Sequence, residues 1–156
     1  MNIKIISVGK LKEQYLKDAL KEYEKRLNSF CKLSVIEVAP ELITDEALYD
    51  KYKDLEADRI LQSVKTGAYV ITLEIKGKKL SSEGFAQKIK EITNNGISDI
   101  IFIIGGANGL SERVSNIADF KLSFSDMTFT HQMIRILLTE QIYRAFKINA
   151  NEQYHR

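Results

Sequence analysis

The side chains best suited to chemistry in this sequence stand at its end. Tyr154, His155 and Arg156 are the last residues, and Arg135 interrupts a strongly apolar stretch before them. An aromatic ring can stack on a nucleobase, an imidazole can exchange a proton near neutral pH, and a guanidinium can bind phosphate or carboxylate. The competing interpretation is a frayed terminus, which is usual for the last residues of a domain.

A second candidate site follows the apolar run from Ile100 to Ile104. This run is short for a helix and rich in β-branched residues, so it predicts a strand buried on both faces. Gly105, Gly106 and Gly109 come directly after it. Glycines at the carboxyl end of a parallel strand allow a sharp turn and a close approach to a ligand. We therefore expect a small-molecule site at Gly105, with a plain strand-to-helix turn as the alternative.

Residue spacing argues against several other kinds of site. The glycines match neither the dinucleotide fingerprint nor the phosphate-binding loop. His131 and His155 have no acidic companions at metal-ligand spacing, and Cys31 is the only cysteine, so we expect neither a metal site nor an internal disulfide. Ser125 and Asp126 stand near His131, but the absence of a nucleophile elbow argues against a hydrolytic triad.

The composition is that of an ordinary globular protein. The 156 residues are 44% hydrophobic and 28% charged, and we expect residues 1–156 to form a single domain. We expect no membrane association, because no apolar run reaches spanning length. The start lacks the layout of a signal peptide, so a cytoplasmic location is expected. The net charge of +2 neither requires nor excludes nucleic acid.

Apolar periodicity predicts that strands and helices alternate along the chain. Strands are expected over residues 2–8, 33–38, 69–74, 100–104 and 121–125, with a basic turn at 76–79. Helices are expected over 16–30, from a cap at Thr44 or Asp45 to 64, from Ser81 or Ser82 to 94, from Ser111 to 118, and from Thr130 to 147. This alternation is typical of an α/β domain with a mainly parallel sheet and helices on both faces.

The last predicted helix has an unusually wide apolar stripe. The stripe comprises Met133, Ile134, Ile136, Leu137, Leu138, Ile142, Tyr143 and Phe146. One sheet face should not cover all of it, so a partner helix in a symmetric homodimer is expected, with a fully buried helix in a monomer as the alternative. The opposite, polar side carries His131, Gln132, Arg135, Thr139, Glu140 and Arg144. Glu140 and Arg144 have the spacing of a helix-stabilising ion pair.

Four sequence blocks carry a resemblance to a known family. They are FIIGGANG at 102–109, LSFSDMTFTHQ at 122–132, EQIYRA at 140–145 and the closing YHR at 154–156. With the segment LEIKGK at 73–78, they resemble the RlmH (YbeA-like) pseudouridine N3-methyltransferases of large-subunit ribosomal RNA. That family belongs to the SPOUT class of methyltransferases. The resemblance spans the whole chain and keeps the order of the blocks.

The resemblance implies a C-terminal trefoil knot that binds S-adenosylmethionine. Three loops at strand carboxyl ends would hold this cofactor, which is where open α/β sheets bind ligands. The residues implied are Leu73, Gly105, Phe124, Ser125, Asp126, Met127, Thr128 and Phe129. Knotted chains are rare among known folds, so the expectation of a knot rests on the resemblance alone.

For this reaction the tail supplies the candidate catalytic residues, and the resemblance implies that it acts across a dimer. His155 would contact or deprotonate the base, beside Tyr154, and Arg156 and Arg135 would bind phosphate or stabilise the resulting anion. The tail of one subunit is expected to complete the site of the other, which would make the homodimer obligatory. Gln153 departs from the proline common in the family, so the tail should lose more entropy on ordering.

The function implied is methylation of N3 of a pseudouridine in 23S ribosomal RNA within the assembled ribosome. The chain offers few obvious basic clusters, so we expect recognition of the ribosome by shape rather than tight binding to bare RNA. Two alternatives remain. One is a SPOUT methyltransferase that acts on transfer RNA, and the other is a non-catalytic ribosome-binding module, against which the intact glycines argue.

Overall fold

A five-stranded, fully parallel sheet forms the centre of the protein. The computed structural model describes residues 1–154. Within them the strands lie in the order β2-β1-β4-β3-β5, and every strand pairing is parallel. The strands are β1 (Asn2–Val8), β2 (Lys32–Val38), β3 (Tyr69–Lys79), β4 (Asp99–Ile104) and β5 (Phe120–Ser123). The predicted α/β class with a mainly parallel sheet is therefore confirmed.

Helices connect the strands, and most of them begin at a polar cap. They are α1 (Gln14–Leu27), α2 (Tyr49–Gln62), α3 (Ser82–Asn94), α4 (Glu112–Ser115) and α5 (His131–Asn149). The side chains of Ser81, Ser111 and Thr130 accept hydrogen bonds from the first-turn amides of α3, α4 and α5. Such caps satisfy donors that would otherwise lack a partner, which is why these starts were predictable from sequence.

The sheet is buried on both faces, as the apolar run of β4 predicted. Ile100, Phe102 and Ile104 belong to the core beneath α1, α3 and α5. Ile101 and Ile103 belong to a second core on the opposite face, with side chains of α2 and α4. Successive residues of a strand point to opposite faces, so both faces must carry helices.

The segment predicted as a basic turn, residues 76–79, is instead part of β3. Ile71–Leu73 pair with Phe120–Leu122, and after an irregularity Lys78 and Lys79 pair with Leu122 and Ser123. At Gly77 a Cβ would lie 2.7 Å from the carbonyl carbon of Leu122. Only glycine fits at position 77, because the two backbones approach each other closely there. Local composition predicted a turn because it contains no information on the pairing with the distant strand β5.

Other predicted boundaries were wrong by a few residues. α1 ends at Leu27, and Phe30 instead stacks on Phe146, with ring centroids 5.5 Å apart. Asp45 caps a short 3₁₀ turn that precedes α2. β5 begins one residue and ends two residues earlier than the expected 121–125, and α4 stops at Ser115. Ends of elements depend on caps and on neighbouring segments more than on periodicity.

The burial of α5 also differs from the prediction. Arg135 and Thr139, placed on the polar side by their residue types, are fully buried, whereas Met133 of the apolar stripe is 37% exposed. The helix therefore turns part of its polar side toward the sheet. No helix within residues 1–154 is long and apolar enough to cross a membrane. The trefoil knot stays a prediction.

Candidate functional site

The carboxyl ends of β4 and β5 flank Leu73, a residue in the middle of β3, at one level of the sheet. Leu73 of β3 is in register with Ile104 of β4 on one side and with Leu122 of β5 on the other. The chain leaves β4 at Gly105, directly after Ile104, and leaves β5 shortly before Phe124. The structure thus brings Gly105 and the start of the 124–129 segment close to Leu73, near the carboxyl ends of β4 and β5, where open parallel sheets bind ligands. β3 continues past Leu73 to Lys79, because its pairing with β5 resumes after an irregularity, so the prediction that the third strand ends at Leu73 was wrong.

The glycine segment after β4 folds back on itself. Gly106 and Gly109 form an isolated antiparallel bridge, and Gly109 has a φ of 77°. At Gly105 a Cβ would lie 2.8 Å from the carbonyl carbon of Gly109. A side chain at Gly105 therefore has no room even without a ligand. The tight turn between strand and helix is by itself a sufficient reason for glycine at position 105. A ligand at the same place stays a proposal.

Glu74, which the sequence analysis did not single out, follows Leu73 at the same edge. Its carboxylate accepts hydrogen bonds from the hydroxyls of Thr72 at 2.7 Å and Ser115 at 2.9 Å. The Glu74 side chain thereby connects β3 to α4, the helix that follows the glycine segment. The available signal was an acidic residue within a largely buried strand, which is rare unless the carboxylate has partners.

The 124–129 segment is an exposed loop whose backbone is held by its own side chains. Ser125 Oγ accepts a hydrogen bond from the amide of Met127 at 3.0 Å, and the carbonyl of Ser125 accepts one from Ser123 Oγ at 3.2 Å. Asp126 forms an ion pair with Lys79 at the end of β3. Met127 is 76% exposed. The loop is therefore shaped but open, and Thr128 is exposed within it.

A cavity of about 280 Å³ lies beside this loop. It is mostly apolar, and Phe124 and Phe129 contribute to it from the loop. Its other lining residues are Leu80, Ser81, Ser82, Phe85, Leu122, Leu137 and Gln141. Apolar clefts with a few polar groups are typical binding sites for small molecules. Residue types and spacing did not predict the cavity, because α3, β5 and α5 meet there only in the folded chain.

Arg135 does not occupy the position expected of a phosphate-binding residue. Its side chain is fully buried, and its guanidinium donates to the Glu37 carboxylate at 2.6 Å, to Ser7 Oγ at 2.8 Å and to the Gly9 carbonyl at 2.9 Å. The expected carboxylate partner is present, but it belongs to the chain itself. Arg135 therefore anchors α5 to the ends of β1 and β2, with no solvent-exposed surface for RNA.

His131 begins α5 close to Gly9. At Gly9 a Cβ would lie 3.0 Å from His131 Nε2, and Gly9 has a φ of 87°. Burial, with the nearby positive charges of Arg135 and Lys12, lowers the pKa of His131. The imidazole is thus neutral near physiological pH and packs against the turn after β1. Within residues 1–154 no group of three or more His, Cys, Asp or Glu side chains could hold a metal ion.

The tail turns back onto α5. The Tyr154 ring packs edge-on against Tyr143, with centroids 4.9 Å apart, and the Arg144 guanidinium lies 4.8 Å from its centroid. Burial and a hydrogen bond with Tyr23 raise the pKa of Tyr154 to about 12. Tyr154 is therefore a neutral phenol that contacts α5 and α1. His155 and Arg156, the other tail residues predicted to act in catalysis, lie outside the described residues.

A parallel α/β sheet with loops at the carboxyl ends of its strands defines a class of ligand-binding proteins. Comparison with known proteins identifies the family within this class. The family model described as "Predicted SPOUT methyltransferase" matches residues 1–155. The chain belongs to the SPOUT methyltransferase family.

Two relatives illustrate the range of similarity. A protein of Methanococcus maripaludis strain C5, named "Putative ribosomal RNA large subunit methyltransferase H", is 54% identical over the full length of both chains. The structure of a probable methylase family protein from Haemophilus influenzae Rd KW20 matches with a TM-score of 0.56 and 13% identity. This match covers 99% of the present chain and 70% of the other, and at this identity it supports the fold alone.

Proposed function

We propose that the protein methylates N3 of a pseudouridine in 23S ribosomal RNA, with S-adenosylmethionine as methyl donor and the assembled ribosome as substrate. The observation that carries the proposal is the common level of Leu73, Ile104 and Leu122, which places the turn after β4 and the loop after β5 on either side of Leu73. The name of the Methanococcus maripaludis relative, 54% identical over its whole length, supports ribosomal RNA as the substrate.

The residues at this edge fit the proposed cofactor. Leu73 and Gly105 and the loop residues Phe124, Ser125, Asp126, Met127, Thr128 and Phe129 would hold it. The loop is open, and the neighbouring cavity presents apolar surface suited to an adenine ring. S-adenosylmethionine supplies an activated methyl group with a good leaving group, so the protein has mainly to align the acceptor and assist loss of its proton.

The chain's own contribution to the reaction is proposed to come from the tail. His155 would take the proton from N3 or hold the base by a hydrogen bond, and Arg156 would bind phosphate or stabilise the anion. The neutral phenol of Tyr154 is a hydrogen-bond donor and a stacking surface. Arg135 is not among the proposed catalytic residues, because its guanidinium is buried and paired with Glu37.

A homodimer is part of the proposal. Met133 on α5 and Phe129 just before it are large apolar side chains, 37% and 44% exposed. Together with half-buried Ile134 and Leu137 they leave an apolar surface beside the candidate site. A second copy of the chain would cover it, and its tail would complete the site.

The substrate is proposed to be the ribosome rather than free RNA. Net charge is +2, and ion pairs such as Lys79 with Asp126 neutralise part of the basic surface near the site. Tight binding to bare RNA requires many phosphate contacts, so shape and contacts with ribosomal proteins would supply the remaining affinity. A cytoplasmic location is proposed with this substrate.

The test is transfer of radiolabelled methyl from S-adenosylmethionine to ribosomes that lack the modification, with bare ribosomal RNA and bulk transfer RNA in parallel. Label in ribosomes alone, mapped to a pseudouridine by mass spectrometry of nucleosides, supports the proposal. Label in transfer RNA would keep the family and replace the substrate. Absence of label together with absence of cofactor binding by calorimetry would favour a ribosome-binding module.

A further inference from the structure

A line of side-chain contacts joins the cavity beside the candidate site to the end of the described chain. Ser82 Oγ donates to Gln141 Oε1 at 2.9 Å, and Gln141 Nε2 donates to Glu140 Oε2 at 2.8 Å. Ser82 and Gln141 both line the cavity. The other oxygen of Glu140 receives Arg144 at 2.6 Å and lies 3.4 Å from the hydroxyl of Tyr154.

Besides Arg144, its ion-pair partner on the helix, the Glu140 carboxylate therefore contacts Gln141 and Tyr154. Its side chain is 17% exposed and that of Arg144 is 23% exposed. An ion pair shielded in this way is screened less than a surface pair and keeps its geometry. The carboxylate therefore holds the Gln141 amide on one side and the Arg144–Tyr154 pair on the other.

The backbone after α5 is folded so that Tyr154 can reach this carboxylate. Asn151 adopts a φ of 56°, and the amide of Glu152 donates to the Lys147 carbonyl at 2.9 Å. The chain reverses direction there, and the Tyr154 ring packs against Tyr143, which lies in the second half of α5. The position of Tyr154 is accordingly determined by side chains of α5 as well as by the turn.

We propose that Glu140 is a positioning residue for methyl transfer, which holds Tyr154 at a defined place against α5, so that the tail starts from a fixed point toward the site of the second copy. The inference rests on the proposed function, because the tail residues after Tyr154 are those proposed to act on the base. Consecutive Cα atoms are about 3.8 Å apart, so a fixed Tyr154 limits where the next residue can lie. Glu140 acts through Tyr154 and does not itself touch the base.

The test compares E140Q with the unchanged protein in two independent assays. In the first, carboxypeptidase digests the full-length chain, and mass spectrometry follows release of Tyr154. E140Q weakens the bond to Arg144 and should speed this release several-fold. D50N is the matched control, because Asp50 forms an ion pair with Lys53 on α2, away from the tail. D50N should leave the release unchanged.

The second assay measures methyl transfer to ribosomes. E140Q should lower kcat about tenfold, which corresponds to roughly 1.4 kcal/mol, while the KM for S-adenosylmethionine, the melting temperature and the oligomeric state stay unchanged. E140D keeps the charge and should recover part of the rate. If E140Q does not fold, Y154F tests the same contact, since it removes the hydroxyl and keeps the ring. Y23F is its control, because it removes only the hydrogen bond of Tyr154 with Tyr23.

Three results would overturn the inference. One is release of Tyr154 at the unchanged rate in E140Q, and another is faster release with unchanged kcat. A fall in kcat that follows lost cofactor binding or a changed oligomeric state would also contradict a positioning role. If the unchanged protein methylates no RNA, the proposed function fails, and the digestion assay still decides whether Glu140 holds Tyr154.

Discussion

Arg135 and Glu37, 98 positions apart in the sequence, form an ion pair of 2.6 Å at the ends of β2 and α5. The arginine is fully buried, and the glutamate is 32% exposed on its side chain and also accepts the amide of Leu11 at 3.1 Å. One carboxylate thus holds both the start of the loop after β1 and the first turns of α5. Its effect on the candidate site is indirect, through the placement of α5.

Loss of this ion pair should destabilise the protein strongly. R135M should lower the free energy of unfolding by about 3 kcal/mol, because it leaves Glu37, Ser7 and Gly9 without their partner. Urea unfolding monitored by circular dichroism measures this. R26M breaks the exposed Arg26–Glu22 pair and should lower the free energy of unfolding far less than R135M does. Equal effects of the two variants would contradict the structural role assigned to Arg135.

The turn after β4 should not tolerate a side chain at Gly105. G105A places a Cβ 2.8 Å from the Gly109 backbone, so the turn must shift, at a cost of roughly 1–3 kcal/mol. If the cofactor binds there, calorimetry should show weakened binding as well.

Gly84 provides a matched control for Gly105. In the first turn of α3 a Cβ at Gly84 would have no neighbour nearer than 3.5 Å. G84A should therefore stabilise the protein by about 0.4–1 kcal/mol, because it restricts the unfolded chain. A G105A variant as stable as G84A would show that the turn is not as tight as described.

Stability should fall in mildly acidic solution because of His131. Burial, Arg135 and Lys12 lower the pKa of the folded imidazole below its usual 6.5. The unfolded chain then binds the proton more tightly than the folded chain does. The contribution of His131 to the free energy of unfolding is therefore fully present above about pH 6.5 and is lost as the pH falls through the pKa of the folded state. Urea midpoints measured across this range should decrease with acidity.

The contribution of His131 can be separated by substitution. H131Q should flatten the pH dependence of the urea midpoint, whereas H155Q should leave it in place because His131 is unchanged. A steep acid dependence that persists in H131Q would assign the effect to other groups, such as the carboxylates that accept hydrogen bonds in the folded state.

The exposed apolar surface of α5 should determine the oligomeric state. M133K introduces a charge into the surface proposed to contact a second copy and should convert a dimer into a monomer in multi-angle light scattering. L48K is the control, since Leu48 is a similarly exposed apolar residue, 41% exposed, that lies before α2. A dimer in M133K, or a monomer in the unchanged protein, would contradict the proposed interface.

Local sequence determined most of the elements of this fold. Polar caps such as Ser81, Ser111 and Thr130 satisfy amides within a few residues, and the buried run Ile100–Ile104 requires cover on both faces. These features depend on neighbours in the chain, so residue types and spacing were sufficient to predict them. The end of β4 before Gly105 was predicted for the same reason, whereas the end predicted for the third strand at Leu73 was wrong. The match of residues 1–155 confirms the family.

Tertiary structure alone decided which parts of these elements meet. The side of α5 that is buried depends on Glu37, which supplies a counter-charge for Arg135 from a distant strand. The pairing of Lys78 with Leu122 makes a strand of a segment whose composition is that of a turn. The cavity between Phe85 and Leu137 likewise exists only where α3 and α5 pack together. Long-range pairing and charge compensation leave no periodic signal in the sequence, so only the folded chain could show them.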